Sequence, residues 1–592
     1  MKMLDIVLVT YNSEKWISNC LDAISSSTYP AECIYITVVD NGSTDNTAFI
    51  LKKYQNEKLK QFQILFQKEN LGFGKANNVG VRHTSQELVF FLNIDTEVAP
   101  DAIAELMNAV QTSSPDVALW ESRQFPYEHP KRYNPVTLDV SWASGACMLV
   151  RRDAFLEIGM FDENIFMYGE DVDLSWRLRH KGYKLRYVPK SVVFHYTYDN
   201  ANQVKETQFY NSVYVNLMLR YKFGTALDVM KGYVLMLGLL GIGGPSTKHH
   251  AITLSQIYRS FGEGRVFRAW RGKQNVGSSF LPSFKLWDYE VNREGAFYFH
   301  KKVEEFPLVS ILIRTCNRPQ MLREALISCR NQTYPNLEIV IVEDGEPKSK
   351  TLIQSEFHDL NIVYTATGTR VGRCNAGNIA LQMASGEWFN FLDDDDLLFA
   401  DHIEVLVRGV TEQRGTAAAY STSFEVPTKI LSLDPYRYEE HLYFVQHKQP
   451  FDLATLIHHN YFPIQTVLFN RSLYEELGGF DPNLEVLEDW DLWLRYASHR
   501  PFFFVDKLTS LYRVPAEGHT NSERQRLLDS YLDIVRRKHM NEYVNVTFRE
   551  LFELYEIKFS KQFSSRLRAV GPRVLLHKVK KKIYRQIKRV LS

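Results

Sequence analysis

Short apolar runs alternate along the chain with segments of helical apolar spacing, and the alternation occurs twice. Residues 6–10 (IVLVT) and 309–315 (VSILIRT) are near-continuous runs of β-branched and aliphatic side chains, the pattern of strands buried on both faces. Each leads into a turn, an amphipathic helix and a Tyr-Pro exit, at Tyr29-Pro30 and Tyr334-Pro335. Further apolar runs, YITVVD and EIVIVE, then VFFLN and WFNFLD, end in acidic or amide residues. Strands alternating with helices predict the α/β class with a mostly parallel sheet, whose ligands sit beyond the C-terminal strand ends.

The two series are a duplication. Thr10 and Asn12 match Thr315 and Asn317, and Asp40-Asn41-Gly42 matches Asp344-Gly345 after a slip of one residue. In NLGFGKANN, which opens at Asn70, the residues Gly72, Ala76 and Asn78 face Gly372, Ala376 and Asn378. Asp95 faces Asp395, and Glu170, Asp171, Asp173 and Arg177 face Glu488, Asp489, Asp491 and Arg495. The repeat predicts a first domain over 1–225, a helical connector over 226–305, a second domain over 306–545 and a helical tail over 546–592.

Two acidic constellations carry the candidate chemistry. Asp393, Asp394, Asp395 and Asp396 follow a buried strand, where crowded like charges repel unless a cation neutralises them. All-oxygen ligands suit Mg²⁺ or Mn²⁺ with coordination left for a diphosphate. An acidic loop capping the next helix is the plainer reading, and its recurrence as Asn93-Ile94-Asp95 argues against it. The pairs Glu170-Asp171 and Glu488-Asp489 each open a helix, whose N-terminus keeps a carboxylate ionised and able to accept a proton.

Together these blocks, from VTYN and IRTCN through VVDNGSTD and IVEDG to GED and LED, resemble the family 2 glycosyltransferases of GT-A fold. The first copy is similar to the bacterial rhamnosyltransferase-type branch through NLGFGKANN, LNIDTEV, SGACMLVRR and FMYGEDVDLSWRLRHKGY. The resemblance implies two GT-A domains and an inverting, metal-dependent glycosyl transfer in each. Donor nucleotide sites would comprise Thr10, Asn12, Asp40, Asn70, Gly72, Asn78 and Asp95 in the first copy. In the second they would comprise Thr315, Asn317, Asp344, Gly372, Asn378, Asp393 and Asp394. Metal ligands would be Asn93, Asp95 and His195, and Asp393, Asp395 and His519; the general bases would be Asp171 and Asp489. It implies dTDP-rhamnose as the first donor, UDP- or another NDP-sugar as the second, and a lipid-linked oligosaccharide or glycan acceptor. The expected product is a bacterial surface polysaccharide such as an O-antigen, capsule or wall glycan. A processive two-site copolymerase, or one catalytic domain beside a non-catalytic carbohydrate-binding or assembly domain, stays open.

Composition sharpens this picture. Among 592 residues, 70 Lys and Arg nearly balance 69 Asp and Glu. Residues 561–592, however, hold eleven of those cations and no acid, so the remaining body is acidic on balance. That distribution excludes a nucleic-acid binder. The basic tail has helical apolar spacing and could pack on its own domain or on a partner. With the lipid-linked acceptor that the resemblance implies, it is expected to lie on an anionic membrane, and so the protein is expected to be cytoplasmic and peripheral to the inner face. Six cysteines without a C-x-x-C pair exclude a disulfide scaffold. The N-terminus reads as a strand rather than a secretory signal, and the apolar stretch 229–244 is too short to span a bilayer.

Overall fold

The computed structural model describes residues 2–57, 61–196, 205–271, 280–295, 305–413 and 415–541; the tail expected over 546–592 lies outside the described residues. Its chain divides into two compact units, one reaching Asn292 and the other beginning at Arg293.

In the first unit the apolar runs become strands β1 (Leu4–Thr10), β2 (Ile34–Asp40), β3 (Phe62–Phe66), β4 (Leu88–Asn93), β5 (Thr96–Val98), β6 (Val117–Phe125), β7 (Cys147–Arg151) and β8 (Lys184–His195). They form one sheet of order β3-β2-β1-β4-β7-β6-β8-β5. The pairings β1 with β2, β2 with β3, β1 with β4 and β6 with β8 are parallel. Those of β4 with β7, β6 with β7 and β5 with β8 are antiparallel, so the sheet is mixed around a parallel half.

The second unit repeats this plan in β9 (Val309–Thr315), β10 (Leu337–Glu343), β11 (Ile362–Ala366), β12 (Trp388–Asp393), β13 (Leu397–Leu398), β14 (Ala418–Leu433), β15 (Tyr436–Glu440), β16 (Val467–Asn470) and β17 (Phe503–Pro515). Its order, β11-β10-β9-β12-β16-β14-β17-β13, matches the first strand for strand, with β15 added as a hairpin partner of β14.

Apolar side chains of β1 and β4 pack on the amphipathic helices Ile17–Ser25 and Ala102–Thr112. The opposite face receives the helix Phe73–Val81 at close range, because Gly80 has no Cβ: one placed there would lie 2.5 Å from the Val7 side chain. Helices Ala226–Ile242 and His249–Arg271, expected as a connector, instead pack with Glu206–Phe223 into a helical layer of the first unit. Phe209, Met236, Leu239 and Phe267 join Trp176 there. This buries the inner sides of the helices, the packing from which most helical stability in proteins comes.

Candidate active sites

Beyond the ends of β1 and β4 the first unit opens a cleft of about 730 Å³. It is lined by Asn93, Asp95, His195 and Asp171 together with Asn12, Asn70 and Gly72. The turn after β4 carries Asp95 against the end of β8, where Thr96 pairs with His195. The His195 Nε2 lies 3.3 Å from Asp95 Oδ1, and its Nδ1 is 2.8 Å from Gln124 Oε1 on β6. An amide oxygen only accepts, so Nδ1–H donates to Gln124, and Nε2 is the nitrogen turned to the Asp95 carboxylate and the cleft. Although burial opposes it, His195 holds the Asp95 carboxyl below the usual range. The buried Asn93 Oδ1 has no hydrogen-bond partner among the described residues. An oriented imidazole nitrogen, a carboxylate and an orphaned amide oxygen facing one cleft fit a divalent cation with room for diphosphate oxygens. Among the described residues no three or more His, Cys, Asp or Glu side chains are arranged to hold a metal ion by themselves.

The helix Glu170–His180 enters from the left-handed Gly169 and brings its first turn to the same cleft. Asp171 accepts from the Gly145 N–H at 3.0 Å and the Val172 N–H at 2.8 Å, while burial pushes its carboxyl above the ordinary value. Burial, then the neighbouring Asp171 charge, pushes Glu170 up to about 8. Asp173 points inward to Arg177 at 2.7 Å and to Lys222 at 2.5 Å, tying the acidic turn to the closing helix.

At the nucleotide end, Thr10 Oγ1 donates to Asp40 at 3.0 Å, both buried. Asn12, left-handed at φ 50°, accepts from the Thr44 N–H at 2.8 Å. Asn41, which motif reading left aside, clasps the Gly72 loop. Its Oδ1 takes the Leu71 N–H and its Nδ2 donates to Asn70 Oδ1, each at 2.9 Å. Asn78 is not at the donor cleft: both ends of its amide bind the Phe161 backbone at 3.0 Å, and it is buried. Asn378 does the same to Phe480, so these two pin the loop before the acidic helix.

Sheet register corrects two of the expected correspondences. Thr10 pairs with Asp40 and Thr315 with Glu343, so the counterpart of Asp40 is Glu343, and Asp344 stands where Asn41 does. Accordingly Asp344 holds its own loop, accepting from the Val371 N–H at 2.6 Å and the Gly372 N–H at 3.1 Å. Thr315 instead donates to Asp394, and Asn317 repeats the left-handed turn at φ 60°. Leu397 pairs with Leu511, which sets Tyr512 rather than His519 at the place of His195. His519 falls in the first turn of the helix Gly518–His539, with its side chain outside the described residues.

The acid run of the second unit is already neutralised by arginine. Arg314 spans Asp393 at 2.7 Å and Glu488 at 3.0 Å, and Arg318 pairs with Asp394 and, at 3.0 Å, with Asp395. Burial opposes ionisation of Asp393, but Arg314 holds its carboxyl low. Burial dominates at Asp394, pushed up to about 7, and at Asp396, pushed well above its usual range. Asp393 and Asp395 therefore differ from the cation-ready set expected of them, because each already has a guanidinium partner. Asp489 accepts from the Asn460 amide at 2.9 Å, and burial with the Glu488 charge pushes it up to about 7. Leu487, before this helix, is left-handed at φ 62°, a costly conformation for a branched side chain, placed as site strain commonly is. Asp491 repeats Asp173, pairing with Arg495 at 3.2 Å and Lys538 at 2.8 Å.

The glycosyl transferase family 2 model matches residues 5–159 and 310–477, and that of glycosyl transferase family group 2 matches 131–242. N-acetylglucosaminyl-diphospho-decaprenol L-rhamnosyltransferase of Mycobacterium tuberculosis (strain CDC 1551 / Oshkosh) is 30% identical over 240 residues, 33% of this chain and 76% of that protein. An uncharacterized glycosyltransferase of Rickettsia bellii (strain RML369-C) is 20% identical over 541 residues, 88% of this chain and 70% of its own. Among solved structures, mannosyltransferase PcManGT from Pyrobaculum calidifontis, in complex with GDP-Man and Mn²⁺, aligns at a TM-score of 0.32. It is 16% identical, covering 46% of this chain and 84% of that one. The two family 2 matches fall one on each sheet and together span more than half of the sequence: the chain belongs to glycosyl transferase family 2.

Proposed function

We propose that the chain is a bifunctional inverting glycosyltransferase that adds two sugars from nucleotide-sugar donors to a growing bacterial surface polysaccharide. The observation that carries the reading is a strand-end acid and a pKa-raised carboxylate at the head of a helix, Asp95 and Asp171 lining one cleft in the first unit and Asp395 and Asp489 at the matching positions of the second. In each unit the acceptor oxygen attacks the anomeric carbon from the face opposite the nucleotide. The new C–O bond forms as the bond to the diphosphate breaks, and the hydroxyl proton passes to Asp171 or Asp489. A carboxylate whose pKa is raised toward the working pH suits that task better than one at its ordinary value. Gly145 and Asn460 orient the two bases.

In the first unit Asn93, Asp95 and His195 would hold Mg²⁺ or Mn²⁺, which offsets the charge of a departing diphosphate when bound. In the second unit Arg318 and Arg373, both partly exposed beside the acid run, supply positive charge from the protein itself. Similarity to a decaprenol-linked L-rhamnosyltransferase supports dTDP-rhamnose as the first donor and a lipid-linked acceptor, which would place the enzyme peripherally on the inner face of the membrane. The test is a nucleotide-sugar screen against defined acceptors with product linkages read by NMR. Wild type should form two linkages, Asp171→Asn should lose one and Asp489→Asn the other. Retention of both linkages by either variant would refute the assignment.

A further inference from the structure

The helical layer of the first unit carries an apolar face that its own core does not use. The helix Ala226–Ile242 buries Gly232, Met236 and Leu239, whereas Leu227, Met230, Val234 and Leu237 are each more than half exposed. Their spacing places these four on one stripe. Tyr258 and Phe261 on His249–Arg271 are exposed as well, at 81% and 59%. Cations border the apolar side chains: Lys231, Lys248, Arg265 and Arg268 are all exposed. Residues 226–271 hold six Lys and Arg against two acids, and both acids are engaged locally. Asp228 caps the helix at Thr225, and Glu263 accepts from Arg259 and Tyr214.

A second copy of the chain seated here under two-fold symmetry would set these cations against their own kind. An anionic lipid surface satisfies both the apolar stripe and its cationic border. Among the described residues no helix is long and apolar enough to cross a membrane, so an in-plane position is the one available to these helices. The helix Glu206–Phe223, packed against both, lines the candidate cleft at Ser212 and Val213.

We infer that the helices Ala226–Ile242 and His249–Arg271 dock the first unit in the plane of an anionic bilayer, bringing its cleft to the surface from which a lipid-linked acceptor projects. The inference rests on the acceptor class proposed above. It is tested by flotation of the full chain with vesicles of phosphatidylethanolamine and phosphatidylglycerol, and with phosphatidylcholine vesicles alone. Wild type should float with the anionic vesicles. The triple variant Met230→Gln, Val234→Gln, Leu237→Gln should lose about tenfold or more of the bound fraction, and Arg265→Glu with Arg268→Glu should lose the preference for anionic lipid. Glutamine keeps helix propensity, and circular dichroism verifies the fold.

Flotation of the triple variant at the wild-type level overturns the inference. So does binding abolished by Lys580→Glu, Lys581→Glu and Lys582→Glu in the tail, or a dimeric wild type that the triple variant makes monomeric. Donor hydrolysis measured without vesicles separates the two claims: its absence in wild type would remove the transferase reading and leave the docking result standing.

Discussion

The two units share a strand order but balance their strand-end acids in different ways. In the second, Arg314, Arg318 and Arg373 surround Asp393, Asp394, Asp395 and Glu488. In the first, the corresponding positions are Val9, Ser13 and Phe73, the run is reduced to Asn93-Ile94-Asp95, and His195 replaces arginine as the partner of the acid. The consequence reaches the next helix. Glu488 is ion-paired, while its counterpart Glu170 has no arginine and is pushed up to about 8, toward its neutral form. A dense acid run is therefore not in itself the better metal site; what matters is whether a cation is already built in beside it.

The largest effects expected from this comparison are at the bases. Asp171→Asn and Asp489→Asn should each lower transfer in their own unit by about 10²–10⁴-fold and leave the other unit unchanged, as measured by donor turnover for each linkage. Next comes the built-in cation. Arg314→Met removes the guanidinium shared by Asp393 and Glu488, leaving Glu488 only Arg373 at 3.7 Å, at a cost of up to about 3–5 kcal/mol, seen as a lower unfolding midpoint in denaturant. Gln124→Ala frees the His195 ring to take the other tautomer and should weaken metal affinity in the first unit by about 10–100-fold, measured by Mn²⁺ titration. Transfer by the second unit should rise with pH through about 7 as Asp489 loses its proton and becomes a competent base; a flat profile from pH 5.5 to 8.5 would contradict its role. Smallest is Glu170→Gln, which substitutes a neutral amide for a carboxyl already pushed toward its neutral form and should change stability by less than about 0.5 kcal/mol. Glu488→Gln removes an ionised partner of Arg314 and should cost about 1–3 kcal/mol.

Much of this was legible in the residues. The duplication, the parallel half of each sheet and the correspondence of Asp95 with Asp395 follow from apolar runs and spacing alone. The places of Asp344 and His519 do not, because hydrogen-bond register rather than distance along the chain decides which residues stand level at a strand end. Arg314 did leave a signal, a lone charge within the apolar run VSILIRT, but its partners lie 79 and 174 residues away. Gln124 and Asn460 reach the sites from other strands and loops and belong to no local motif. Lys222 and Lys538 look like ordinary helix lysines until the fold brings each to the third acid of E-D-x-D.

The most direct test of the contrast is Mn²⁺ binding to the full chain in the presence of a nucleoside diphosphate, followed by electron paramagnetic resonance. The account predicts that Asp95→Ala abolishes the tighter site and that Asp395→Ala leaves it in place. Loss of that site in Asp395→Ala, with its retention in Asp95→Ala, would contradict it.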